Sequence, residues 1–173
     1  FTFNEIFIFG IVLNITAGLG AFGLGFLDDI LGGKRTIQLS NIGLIIACLI
    51  AVIVPNEDLF ILAFPWSESS VVITGKMMFW LSGALIGIFA GPNQSASRSL
   101  MARFIPKDKE NEFFGFFAFS GKATAFVGPF LLGVVTEMFE SQRLGVAVVV
   151  VLLVLGAWLL THVNEEKGIV ESG

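Results

Sequence analysis

Tyrosine is absent from this 173-residue chain, and cysteine and histidine occur once each. A single thiol, Cys48, cannot close a disulfide within the chain and excludes a cysteine-rich metal site. His162 stands alone in the tail. No nucleophile–base pair, metal-ligand cluster or phosphate-binding loop is visible, so the sequence calls for no enzyme and no cofactor. Charge is scarce too: Asp, Glu, Lys and Arg make up 14% of the residues, against about 25% in a soluble domain. There is no basic patch with interleaved aromatics, which excludes a nucleic-acid partner. Nor is there the basic head, short apolar run and small-residue cleavage site of a signal peptide. The chain opens on Phe1 rather than on methionine, and it reads as a fragment of a longer protein.

What is abundant is apolar. Hydrophobic residues make up 55% of the chain, Phe alone contributing 19. They fall in long blocks, which places the chain in the all-α integral membrane class, with the lipid bilayer as its first partner. Five spans are expected, at about 6–27, 37–54, 71–95, 112–138 and 144–162, within one transmembrane bundle over 1–163. The remainder, 164–173, is polar and is expected to be a disordered cytoplasmic tail. Thr2-Phe3-Asn4-Glu5 has the form of a capping box and predicts a helix start. In the first span Ala17, Ala21 and Gly25 recur every four residues, and in the third Gly83, Gly87 and Gly91 do so. Both are faces on which another helix can approach closely. Gly18-Leu19-Gly20-Ala21-Phe22-Gly23 matches the dinucleotide fingerprint, but it lies inside an apolar span and not between a strand and a helix. Pro55 to Asp58 ends the second span, and Leu59 to Trp66, too short to cross, reads as an interfacial turn. The fifth span, rich in Val and Leu, reads as peripheral and lipid-facing.

The fourth span carries Lys122 in its interior, with Gly121 beside it and Gly128-Pro129 beyond. Counted from Glu112 the lysine lies ~15 Å deep, about half of a hydrocarbon core. A charge there costs about 2.5–3.5 kcal/mol on insertion scales. It must face a polar cavity or a partner. Lys122 either lines a substrate path or forms a structural ion pair with a helix outside the chain. Asn14 and Thr16, at mid-depth in the first span, are either substrate contacts or interhelical hydrogen-bonding groups. Orientation follows from the basic residues. Lys34, Arg35, Arg98, Arg103, Lys107 and Lys109 follow the first and third spans, whereas Pro55 to Ser70 contains no Lys or Arg. By the positive-inside rule the first set of loops and the C-terminus are cytoplasmic.

The segment Gly25-Phe26-Leu27-Asp28-Asp29-Ile30-Leu31-Gly32-Gly33-Lys34-Arg35 resembles the signature loop of the major facilitator superfamily, Gly-x-Leu-Ala-Asp-Arg-x-Gly-Arg-Lys. Gly25, Leu27, Asp29, Gly32 and Lys34 match; Asp28 replaces Ala and Ile30 replaces Arg. Gln94-Ser95-Ala96-Ser97-Arg98-Ser99, Glu112-Phe113-Phe114-Gly115-Phe116, Ser120-Gly121-Lys122 and Gly128-Pro129 are similar to the autophagy-related vacuole-effluxer branch of that superfamily. The resemblance covers essentially the whole chain. It implies helices eight to twelve of a twelve-helix transporter, a C-terminal bundle whose partner is the N-terminal half of the same protein. It further implies alternating access in a plasma membrane (a bacterial inner membrane), with efflux of small polar solutes such as amino acids and coupling to protons. In that scheme the substrate path holds Lys122, Asn14, Thr16 and Gln94. The conformational-switch loop holds Gly25, Asp29, Gly32, Lys34 and Arg35, and the cytoplasmic gate holds Arg98 and Arg103. The third and fourth spans are expected to meet near the cytoplasm. The rival reading is a membrane scaffold or receptor that keeps the fold without transport.

Overall fold

The computed structural model describes residues 2–53, 61–62, 71–72, 75–106 and 108–172. Five long helices dominate: α1 (Phe3–Leu24), α3 (Gly33–Ile53), α4 (Gly75–Phe104), α5 (Glu110–Phe139) and α6 (Gln142–Thr161). Two short ones, α2 (Leu27–Leu31) and α7 (Glu165–Ser172), join them at one end. A two-residue antiparallel pair, β1 (Ile61–Leu62) with β2 (Val71–Val72), lies between α3 and α4. The loop over Pro55 to Asp58 and most of the interfacial turn from Leu59 to Trp66 lie outside the described residues.

The start of α1 follows the sequence. The Thr2 amide donates to Glu5 Oε2 at 2.8 Å, and the Glu5 amide donates to Thr2 Oγ1 at 3.4 Å, closing the capping box. Glu5 Oε1 also pairs with Lys76 Nζ at 2.5 Å, which ties the first turns of α1 and α4 together. From there α1 and α4 run parallel. A side chain at Gly83 would strike the Phe9 ring, one at Gly87 would strike Thr16 and Leu13, and one at Gly91 would strike Ala17 and Ala21. Gly20 faces the Ile88 backbone in return. With no side chain between them the two backbones come close enough for dispersion and polar contacts to act, as bilayer helices require. The small-residue stripes expected on the first and third spans thus meet one another. Gly25 does not take part, because a side chain there would crowd the Ala21 carbonyl of its own turn.

α4 packs antiparallel to α3 on its other side. Ser82 Oγ donates to the Ala47 carbonyl at 2.8 Å in a fully buried contact, and Asn93 Nδ2 donates to Asn41 Oδ1 at 2.7 Å. α6 lies against α3, and α5 against α6, where Gly145 meets Leu132 and Thr136. Traced through these contacts, successive long helices reverse direction. The ends at Leu24, Gly33, Phe104, Glu110 and Thr161 therefore share one side of the bundle.

Several expectations change. Four of the long helices, α1, α3, α5 and α6, are long and apolar enough to cross a membrane. α4 has the length but falls short in mean hydropathy, because its apolar half ends near Ala90 and Pro92 to Arg103 is polar. It also starts at Gly75 and not at Val71, since the β-branched Val71–Val72 pair as strand. α6 is not peripheral: it bridges α3 and α5. The main packing of α4 is on α1, α3 and α7, and that of α5 is on α6. Finally, residues 165–172 form α7 rather than a disordered tail. Asn164 caps it, its Oδ1 accepting from the Lys167 amide at 3.1 Å, and Glu165 and Glu166 complement its dipole.

Candidate functional site

The end of the bundle shared by those five helix ends carries a charged cluster. It begins at α2, where Gly32 closes the turn at φ 84°, a left-handed conformation that glycine adopts without strain, and its amide returns to the Asp28 carbonyl at 3.0 Å. This sharp return aims the first amides of α3 outward. Gly33 N–H donates to Glu165 Oε1 at 3.0 Å and Lys34 N–H to Glu165 Oε2 at 3.1 Å. The Glu165 carboxylate, supplied by α7, thus sits on the N-terminus of α3, where the helix dipole favours an anion. Side chains at Gly32 or Gly33 would invade this space: the first would meet the Glu165 carboxylate at 3.3 Å, the second Leu100 and Asp28 Oδ1 at 3.0 and 3.2 Å.

Arg103, in the last turn of α4, joins the two acids. Its Nη2 lies 3.1 Å from Asp28 Oδ2 and its Nη1 lies 3.7 Å from Glu165 Oε1. Asp28 is only 9% exposed, and its second oxygen, Oδ1, is buried with no partner among the described residues. A buried carboxylate is tolerable here because the guanidinium neutralises it. Lys34 completes the cluster from the other direction. Its Nζ donates to the carbonyls of Thr161 and Val163 at 2.9 and 2.6 Å, a cation on the C-terminal end of α6. Beneath the charges Ile37, Ala96 and Leu100 form the buried apolar core, with Phe104 and Leu160 packed against it. The result is a clamp: Glu165 holds α7 to α3, Lys34 holds α3 to α6, and Arg103 holds α4 to both acids. An open cavity of about 860 Å³ lies beside it, lined by Lys34, Arg35, Gln38, His162 and Glu166 among others.

A family model described as vacuole effluxer Atg22 like matches residues 2–173. The chain belongs to that family. Among curated relatives of this Atg22-like chain, the uncharacterized MFS-type transporter YxiO of Bacillus subtilis is 35% identical over 88 residues, 51% of this chain and 21% of the relative. Autophagy-related protein 22 of Candida glabrata is 28% identical over 158 residues, 91% of this chain and 28% of the relative. Autophagy-related protein 22-1 of Aspergillus clavatus is 29% identical over 160 residues, again 91% of this chain and 26% of the relative. The chain therefore spans roughly a quarter of the length of these relatives. No solved structure matches it.

Of the residues singled out in this Atg22-like sequence, the structure brings Gly32, Lys34 and Arg103 into the clamp. Asp29 and Arg35 lie beside it, exposed. The buried, paired carboxylate belongs to Asp28, the position where the superfamily signature has Ala. Thr16 lies in the α1–α4 contact, its hydroxyl donating to the Val12 and Leu13 carbonyls at 2.9 and 3.0 Å. Asn14 is turned outward and donates to the Gly10 carbonyl at 2.8 Å. Gln94 and Arg98 are exposed on α4, and Lys122 is exposed on α5, with no partner for any of the three among the described residues. The sequence reading missed Asp28 and Glu165. Asn164 followed by Glu165 and Glu166 was the available signal, since it is the pattern of a helix start.

Proposed function

We propose that this chain is the C-terminal part of a secondary transporter that exports small polar solutes, amino acids among them, by alternating access. The observation that carries the reading is the ionic clamp of Asp28, Arg103, Glu165 and Lys34 at one end of the bundle. Alternation needs an end that closes through contacts worth a few kcal/mol, strong enough to populate one state and weak enough to exchange. Charge-assisted hydrogen bonds at helix ends meet that need, whereas the glycine-lined α1–α4 contact supplies a stiff unit to rock. Five spans then cross the bilayer, α4 among them, sheltered between α1 and α3. The clamp and the C-terminus lie on the cytoplasmic side of a plasma membrane, where Lys34, Arg35, Arg98, Arg103 and Lys109 gather.

In this scheme the N-terminal half of the whole protein covers the open faces of α1 and α5. Lys122, Asn14, Thr16 and Gln94 contribute to the solute path, Arg98 and Arg103 to the cytoplasmic gate, and a proton gradient drives the cycle. The test uses the full-length protein in liposomes preloaded with labelled amino acids. Saturable efflux that responds to a pH gradient supports the proposal. Well-folded protein that moves no solute sinks it and favours the scaffold reading.

A further inference from the structure

The open cavity of about 860 Å³ beside the clamp has no part in the gating scheme. It lies where the first turns of α3 meet the end of α6 and the start of α7, and Arg35, Gln38, His162 and Glu166 are among its walls. Most of the charge around it is already offset. The Glu165 carboxylate sits on the Gly33 and Lys34 amides, and Lys34 Nζ on the Thr161 and Val163 carbonyls. Glu166 is in the first turn of α7, where the helix dipole offsets an acid. Arg35 is the exception. Its side chain is exposed and has no partner among the described residues. It also stands in the first turn of α3, the end at which the dipole disfavours a cation. Gln38, half-buried and one turn along the same helix, likewise has no hydrogen bond among the described residues.

The depth of the cavity is set by the helices that flank it. α3 and α6 are long and apolar enough to cross a membrane, with 21 and 20 residues. Each spans about 30 Å, the thickness of a hydrocarbon core. Arg35, near the start of α3, and His162, just beyond the end of α6, therefore stand at the edge of that core, at headgroup level. Trp158 meets His162 edge to face at 4.8 Å between ring centres, an aromatic where interfacial belts place one. From Arg35 an exposed apolar stripe runs along α3 through Leu39, Ile42 and Ile46. From His162 another runs along α6 through Trp158, Leu155 and Val151. The two helices pack on each other. Their seam thus offers a donor-rich cationic cavity at one end and two apolar tracks leading from it into the bilayer. A guanidinium matches a phosphate in both charge and fork geometry. We infer that the cavity holds the phosphate headgroup of an anionic phospholipid, bound by Arg35 with Gln38 beside it, its acyl chains laid on the two stripes. Because α7 offsets the charge of Glu166, the unpaired Arg35 favours a net-negative headgroup over a zwitterionic one. The site requires only that α3 and α6 cross the bilayer, whatever the whole protein transports.

The experiment takes the full-length protein in nanodiscs of phosphatidylglycerol, phosphatidylethanolamine and phosphatidylcholine in equal parts. Native mass spectrometry after release from the disc counts the lipids that stay bound. Phosphatidylglycerol should be retained in preference to the other two. Arg35→Gln should lower its retention about tenfold, as the loss of one charge-assisted hydrogen bond implies, and Arg35→Lys should keep part of it. Gln38→Leu, which should lower retention severalfold, replaces the Arg35→Gln variant if that does not fold. Lys109→Gln removes an exposed cation at the same end of the bundle but outside the cavity, and should retain the lipid as the unaltered protein does. A second arm adds glycerol 3-phosphate in solution to protein in discs of phosphatidylcholine alone. It should leave the unfolding temperature unchanged, whereas phosphatidylglycerol in the disc should raise it.

Equal retention of the three lipids overturns the inference, as does unchanged retention of phosphatidylglycerol in Arg35→Gln. A preference for phosphatidylethanolamine would give Glu166 the headgroup ammonium and overturns the anionic occupant. An equal loss in Lys109→Gln reduces the effect to the general attraction of a basic surface for anionic lipid and overturns the site. Stabilisation by glycerol 3-phosphate as large as that by phosphatidylglycerol assigns the cavity to a soluble phosphate ester and overturns the lipid.

Discussion

Replacing Glu165 is the sharpest probe of the clamp. Glu165→Ala removes both acceptors of the first two α3 amides, at 3.0 and 3.1 Å, and the 3.7 Å contact with Arg103. Loss of a side-chain cap costs about 1 kcal/mol. The anion beside the helix dipole contributes ~0.3–1 kcal/mol more, and the partly exposed Arg103 pair ~0–1 kcal/mol. The sum is roughly 1.5–3 kcal/mol, a change of about tenfold to hundredfold in the closed-to-open ratio of this end. Amide hydrogen exchange of the full-length protein in nanodiscs reads it directly. The Gly33 and Lys34 amides should exchange about tenfold to hundredfold faster in Glu165→Ala, while amides in the middle of α3 keep their protection. Glu165→Gln retains one acceptor oxygen and should fall between the two. Unaltered exchange at Gly33 and Lys34 in the Ala variant would refute the clamp.

Arg103→Gln leaves the buried Asp28 carboxylate without its guanidinium and should cost about 1–3 kcal/mol by thermal unfolding. Adding Asp28→Asn should recover part of that loss, with a coupling energy above about 0.5 kcal/mol in the double-mutant cycle; strict additivity would show the pair to be inert. Gly87→Leu, driven into Thr16 and the Leu13 backbone, should destabilise by about 1–3 kcal/mol, whereas Gly18→Leu, facing open space, should change the melting temperature little. Equal effects of the two would contradict the α1–α4 interface. Ser82→Ala removes the buried bond to the Ala47 carbonyl and should cost about 1 kcal/mol in the same assay.

The helices were legible where a local signal decides them. The Thr2–Glu5 capping box, the apolar blocks and the Gly83-Gly87-Gly91 stripe each act within one helix, and each is found in the structure. Which helices pair was not legible, because most bilayer helices present similar apolar surfaces on several sides. Hence the Val- and Leu-rich sequence of α6 points to a peripheral helix, although α6 bridges α3 and α5. Gly32, matched to the superfamily signature, closes its turn at a positive φ that glycine adopts without strain. The clamp's second half was not legible. Glu165 lies more than a hundred residues from Gly33 in the chain. Its role depends on α7 folding back onto α3, and a short polar tail looks alike whether it docks or not. The superfamily signature points to Asp29, whereas burial selects the neighbouring Asp28 carboxylate.

Efflux from liposomes tests the central claim most directly. Full-length protein, preloaded with labelled leucine, should release it saturably, faster against an imposed pH gradient, and at a rate changed severalfold by Glu165→Gln. Folded protein that releases no leucine or other small solute, or whose efflux ignores loss of the Glu165 charge, would contradict a transporter gated by this clamp.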